Sequence, residues 1–228
     1  GTTHVRLLND LVALAWGTLA IRPEACATLR AGTPDAAGAR AVIAPGTGLG
    51  EARVHLVDGH PVALGTEAGH ADFAPRTAIE TRLAAHLRAR HGRATVEHVL
   101  SGPGLLALHA VTHADATCQA SGPDRRPDEV TAAGLSGGCA ACVEALHAWV
   151  GALGAEAGNL ALRELATGGV YLGGGIVPSV LPVLDSPHFL GPFLDKAPML
   201  AVIDRVPVRV ILDPGTGLLG AALAAASL

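Results

Sequence analysis

Aromatic residues are scarce in this chain: they are 3% of 228 residues, with three Phe, two Trp and one Tyr. A core must therefore be built from alanine, leucine and valine, and a hydrophobic content of 50% supplies enough of them. Charge is also sparse, with Asp, Glu, Lys and Arg at 16% against the roughly 25% of an average soluble domain. Lysine is reduced to one residue, Lys196, beside a set of arginines. The formal net charge of −4 lacks the basic excess of a general nucleic-acid binder, so no nucleic-acid partner is expected. No apolar run reaches the ~18 residues of a membrane span, because Gly, His or Arg breaks each one. The opening residues Gly1-Thr2-Thr3-His4-Val5-Arg6 show no basic-then-apolar leader. The expectation is a cytoplasmic protein with no membrane association.

Cysteine is too rare for a disulfide scaffold: Cys26, Cys118, Cys139 and Cys142 are the four. Cys139-Ala-Ala-Cys142 has the spacing of a redox motif or of half a zinc site. A zinc site needs two more ligands, and the sequence shows no second such pair and no His pair nearby. The spacing therefore reads as two small residues one turn apart on a helix, with no metal site.

What the chain does have is glycine, 29 residues of it, much of it placed after apolar runs. Strands are expected over 5–8, 40–44, 52–57, 61–64, 169–172 and 206–212. Helices are expected over 11–20, 79–90, 103–110, 128–135, 142–165 and 218–226. Asp58-Gly59 between alternating runs is a hairpin signal. Residues 118–126 read as a surface loop. The longest helical pattern is broken by Gly151, Gly154 and Gly158, where another element can approach closely. Alternating strands and helices joined by glycine turns indicate an α/β fold without an interdomain linker.

Three glycine turns follow expected strands, at 46–50, 173–175 and 215–217. Glycine lets the backbone come close to a ligand, and exposed N–H groups there can cradle an anion. None is a Gly-Lys-Ser/Thr loop or a dinucleotide fingerprint. Singly each reads as a tight turn; together they point towards a nucleotide. A second group is polar: Asn9, Asp10, Glu67, His70 and Glu97. Carboxylates accept and amides both donate and accept, a mixture suited to a ligand with adjacent hydroxyls. Each also has an ordinary reading: Asp10 as a helix cap, Glu67 and His70 as loop residues, Glu97 on a solvated helix face.

In order along the chain, Leu7-Leu8-Asn9-Asp10, Pro45-Gly46-Thr47-Gly48-Leu49-Gly50, Glu67-Ala68-Gly69-His70-Ala71-Asp72-Phe73-Ala74-Pro75, Glu97-His98-Val99-Leu100-Ser101-Gly102-Pro103-Gly104-Leu105, Gly174-Gly175-Ile176-Val177-Pro178 and Pro214-Gly215-Thr216-Gly217-Leu218-Leu219-Gly220 resemble the bacterial glucokinase family. This is the non-zinc type within the hexokinase and actin-like ATPase superfamily. The resemblance implies a ribonuclease H-like α/β large lobe, with a mixed sheet flanked by helices. It implies transfer of the γ-phosphoryl of ATP, with Mg2+, to the 6-hydroxyl of glucose, a step of glycolysis. By the same resemblance Asn9, Asp10, Glu67, His70 and Glu97 contact glucose, and Asp10 is the catalytic base. Gly46, Thr47 and Gly48 belong to the second phosphate loop, and Gly174 and Gly175 to the adenosine region. Members of the family are often dimers, and the long helix from Cys142 is an expected interface. No cysteine follows His70 until Cys118, which departs from the zinc-bearing relatives. The family's first phosphate loop, Asp-x-Gly-Gly-Thr, has no counterpart upstream of Asn9. Residues 1–228 are thus expected to be the larger, C-terminal lobe without the smaller one. The alternative is a non-catalytic sugar-binding or regulatory protein lacking that loop.

Overall fold

The computed structural model describes residues 5–114, 118 and 126–227. In chain order the elements are α1 (Asp10–Gly17), β1 (Cys26–Arg30), β2 (Arg40–Pro45), β3 (Leu49–Val57), β4 (His60–Thr66), α2 (Ala78–His91), α3 (Val96–Val99), α4 (Gly102–His113), α5 (Pro127–Ser136), α6 (Ala140–Arg163), β5 (Gly169–Leu172), α7 (Leu181–Leu184), α8 (Pro187–Leu194), α9 (Leu200–Ile203), β6 (Val208–Ile211) and α10 (Thr216–Ala226). The strands form one mixed sheet in the order β1-β6-β5-β2-β3-β4. The three central strands β6, β5 and β2 are parallel, while β1, β3 and β4 run antiparallel to their neighbours.

Strand alternation divides the sheet into two faces. Ala41, Ile43, Val170, Leu172, Val208 and Val210 enter the larger core, under α2 to α9. Val42, Ala52, Val54, Tyr171 and Ile211 enter the smaller one, under α1 and α10. Helix α6 runs through the middle of the larger core, with Trp149, Leu146, Leu153 and Leu160 fully buried. A Cβ on Gly158 would sit 2.5 Å from the Phe193 carbonyl oxygen, and one on Gly154 would strike the Phe189 carbonyl. Those two glycines let α8 lie against α6, as their spacing suggested.

The hairpin expected at Asp58-Gly59 is present, with both residues at positive φ, joining β3 and β4. The strands differ from expectation in two places. Residues 5–8 form no strand: Val5 and Leu7 are exposed and no strand of the sheet pairs with them, so their β-propensity has nothing to hydrogen-bond. Residues 26–30, for which no strand was expected, form an edge strand of mixed polarity paired with β6. The long helix is mostly buried beneath α4, α5 and α8. Of the loop expected at 118–126, only Cys118 and Arg126 lie within the described residues, and Cys118 is buried. Among the described residues no single helix is long and apolar enough to cross a membrane.

One buried carboxylate links the sheet to α6. Glu51 on β3 is 1% exposed and receives a hydrogen bond from Arg163 at 3.1 Å, while Glu156 holds the same guanidinium at 2.6 Å. Two carboxylates thus share one cation. Burial, and then the charge of Glu156, outweigh Arg163 and raise the Glu51 pKa from 4.5 to about 7. Its Oε1 has no partner among the described residues, which suits a protonated carboxyl. A carboxyl whose folded pKa is raised favours folding fully below its unfolded value and loses that contribution as pH rises. Stability should therefore fall by about 3 kcal/mol between pH 4.5 and pH 8 from this group alone. Urea midpoints measured across that range should flatten in Glu51→Gln; an unchanged slope would show Glu51 to be ionised throughout.

Candidate active site

The parallel run β6-β5-β2 places three carboxyl strand ends side by side, the edge where open α/β sheets bind ligands. All three glycine turns begin there. Gly46–Gly50 leaves β2, Gly173–Gly175 leaves β5, and Gly217 follows β6. Together with Asp10 they line one open cleft of about 650 Å³. The backbone N–H groups of Thr47, Gly174 and Gly175 make no hydrogen bond among the described residues. Unpaired N–H groups of this kind can receive an anion.

Asn9 and Asp10 start α1 beside this cleft. Asn9, not Asp10, is the helix cap: its Oδ1 accepts from the N–H groups of Leu11 at 2.9 Å and Val12 at 3.3 Å. That leaves the Asn9 amide NH2 as a donor. Asp10 is the first helical residue, exposed to the cleft, with Oδ1 accepting from its neighbour Leu11 N–H at 2.9 Å. Leu11 packs on Gly50, which holds α1 against the first glycine turn.

Glu67, His70 and Glu97 form a second chain of contacts at the rim. Glu67 Oε2 lies 3.9 Å from His70 Nε2, and His70 Nδ1 lies 3.8 Å from Glu97 Oε1. Glu67 is 93% exposed, so the chain opens to solvent at that end. At the other end Glu97 Oε2 accepts from the Leu49 N–H at 2.9 Å. This contact needs Gly48, since a Cβ there would stand 2.6 Å from the same oxygen. The rim residues and the first glycine turn therefore share one carboxylate.

Local capping explains why Glu97 points there. Thr95 and His98 form a reciprocal cap on α3: His98 N–H donates to Thr95 Oγ1, and Thr95 N–H donates to His98 Nδ1. Burial and then the adjacent His91, stacked at 4.4 Å, lower the His98 pKa, so its imidazole stays neutral and Nδ1 stays an acceptor. Ser101 caps α4 through Gly104 N–H, and Gly102 N–H donates to the Gly46 carbonyl at 2.9 Å. The Leu-Ser-Gly-Pro-Gly string thus starts a helix that abuts the glycine turn.

Asp10, Gly46, Thr47, Gly48, Gly174 and Gly175 come together in the cleft, and Glu67, His70 and Glu97 join it through Gly48 and Leu49. Asp213 was not foreseen. It lines the cleft at the end of β6, and its Oδ1 accepts from Gly215 N–H at 2.8 Å. The available signal was an acidic residue directly after a strand and before Pro-Gly-Thr-Gly. The expectation that no His pair lies near Cys139 and Cys142 is also corrected. His109 and His113 on α4 fold against them, brought close by helix packing across a gap that sequence spacing does not show.

A family model described as Glucokinase matches residues 1–228. The Glucokinase of Nostoc punctiforme is 34% identical over 249 residues, covering 100% of this chain and 73% of that protein. The crystal structure of a glucokinase from an Antarctic psychrotroph superposes with a TM-score of 0.88 at 29% identity, over 97% of this chain and 68% of the other. A Balamuthia mandrillaris glucokinase, solved in complex with glucose, shares the fold with a TM-score of 0.83 at 22% identity, over 97% of this chain and 65% of that one. With the cleft, the glycine turns and the whole-length match in agreement, this chain belongs to the Glucokinase family of sugar kinases.

Proposed function

We propose that this chain binds glucose at the rim chain and Asn9-Asp10, and that its cleft receives the Mg2+ complex of ATP. The carrying observation is the meeting of three glycine turns and the Asp10 carboxylate in one cleft. Residues 1–228 act as the larger lobe, with the reaction in cytoplasmic glycolysis. The Thr47, Gly174 and Gly175 N–H groups suit phosphate oxygens, and Asp213, a second carboxylate lining the cleft, would offer a hard cation the oxygen ligand it requires.

Phosphoryl transfer depends chiefly on alignment and charge stabilisation. Asp10 accepts a hydrogen bond from the 6-hydroxyl, orients its oxygen at the γ-phosphorus and takes its proton as the new bond forms. The Asn9 amide, Glu67, His70 and Glu97 hold the other hydroxyls. A sugar lacking one of these hydroxyls leaves a partner unpaired, which penalises it in binding. Because Glu97 also holds Leu49 N–H, sugar binding and the position of the first glycine turn are coupled.

In the full-length protein, Asp10→Asn should lower kcat by roughly 10²- to 10⁴-fold, the range for loss of a positioned base. Calorimetry should find its glucose affinity within a few-fold of the parent. Turnover near that of the parent would remove Asp10 as the base. Gly48→Ala should displace the Glu97 carboxylate and weaken both ligands together, seen as raised KM for glucose and for ATP. A rise in one KM alone would separate the two halves of the site.

A further inference from the structure

The end of α4 farthest from the cleft carries a second cluster of donor atoms, none of them used in phosphoryl transfer. His109 and His113 lie one turn apart on α4, their rings stacked at 3.7 Å. The chain beyond α4 brings Cys118 to the same place, and the start of α6 brings Cys139 and Cys142. His113, Cys118 and Cys142 are buried and Cys139 is half-buried. His113 Nε2 is 3.2 Å from Cys139 Sγ and 3.9 Å from Cys142 Sγ. Cys118 Sγ is 3.6 Å from Cys142 Sγ and 3.9 Å from Cys139 Sγ.

A tetrahedral zinc with Zn–S of about 2.3 Å and Zn–N of about 2.0–2.1 Å separates its sulfurs by about 3.8 Å and sulfur from nitrogen by about 3.6 Å. The four observed separations bracket those values. The imidazole is also prepared. His113 Nδ1 lies 2.8 Å from the His109 carbonyl oxygen, which can only accept, so Nδ1 carries the proton and Nε2 presents its lone pair to the sulfurs. A set of three sulfurs and one imidazole favours a borderline-soft ion over Mg2+ or Ca2+. The N-terminus of the 24-residue helix α6 lies beside it and favours thiolate charge.

We propose that His113, Cys118, Cys139 and Cys142 bind one Zn2+ ion in a closed tetrahedral site that joins the end of α4 to the start of α6. The imidazole enters neutral. Each thiol gives its proton to solvent as its Zn–S bond forms, and no oxidation state changes. Four protein ligands leave no position for water or substrate, so the ion is structural. It steadies α4, the same helix whose Gly102 N–H meets the Gly46 carbonyl.

The test uses Zn2+ and Co2+ with the full-length reduced protein. Elemental analysis after growth with added zinc should find one zinc per chain. Replacement by Co2+ should give intense visible bands of tetrahedral cobalt with thiolate-to-cobalt charge transfer in the near ultraviolet. Chelation should lower Tm and expose three further thiols to a thiol reagent. Cys139→Ser and Cys142→Ser should each weaken Co2+ binding at least tenfold, whereas His109→Gln, outside the four ligands, should retain the sulfur-rich spectrum. Absence of stoichiometric metal, or a cobalt spectrum without charge transfer, overturns the site. So does loss of the spectrum in His109→Gln with retention in Cys139→Ser, since the atoms of His109, His113, Cys118 and Cys142 also lie within 4.8 Å of one another. Should the serine variants fail to fold, the spectrum and thiol count of the parent protein decide the matter alone.

Discussion

The parallel pairing of β6, β5 and β2 is the constraint on which the molecule depends. Parallel strands put all their carboxyl ends at one edge, and every chain segment leaving them must turn there. Here each turn is rich in glycine, so the backbone itself forms the wall of the cleft. The two cores then follow from strand alternation. One face is covered by α6 and its neighbours, the other by α1 and α10. Because α1 lies on the second face with its N-terminus at the same edge, Asp10 arrives beside the turns without a long loop to carry it.

A single carboxylate, Glu97, makes the rim and the cleft one unit. Its bond to Leu49 N–H places a short helix directly on the first glycine turn. The cap formed by Thr95 and His98 sets the direction of that helix, and the neutral state of His98 keeps the cap intact. The bond from Gly102 to Gly46 adds the start of α4 to the same assembly. An error in any of these small elements would reach both halves of the candidate site.

Much of this was legible in the residues. The β3–β4 hairpin, most of the helices, the α/β class and the three glycine turns follow from periodicity and turn chemistry, which are local. The motif strings carried the family. Other features were illegible because their causes are not local. Residues 5–8 have strand-forming side chains but no partner strand, and β1 has weak strand character but is recruited by β6. Asp213 reads as a turn residue until the sheet places it beside Gly46 and Gly174. Cys139 and Cys142 read as helix packing until α4 brings His113 within 3.2 Å of the Cys139 sulfur.

The sequence by itself determined most of the longer elements and the glycine turns, because each depends on side chains a few positions apart, while the candidate polar residues came from the family resemblance. Tertiary structure alone decided which of them meet. Strand order converted three separate turns into one cleft, and close packing of α4 on α6 gathered two histidines and three cysteines from across 34 positions of chain (109 to 142). Buried charge belongs to the same class. Glu51 is an ordinary glutamate in sequence, and only its burial and then the nearby charge of Glu156, against the opposing Arg163, raise its pKa to about 7. Proximity and desolvation are properties of the folded chain, and no spacing in the sequence encodes them directly.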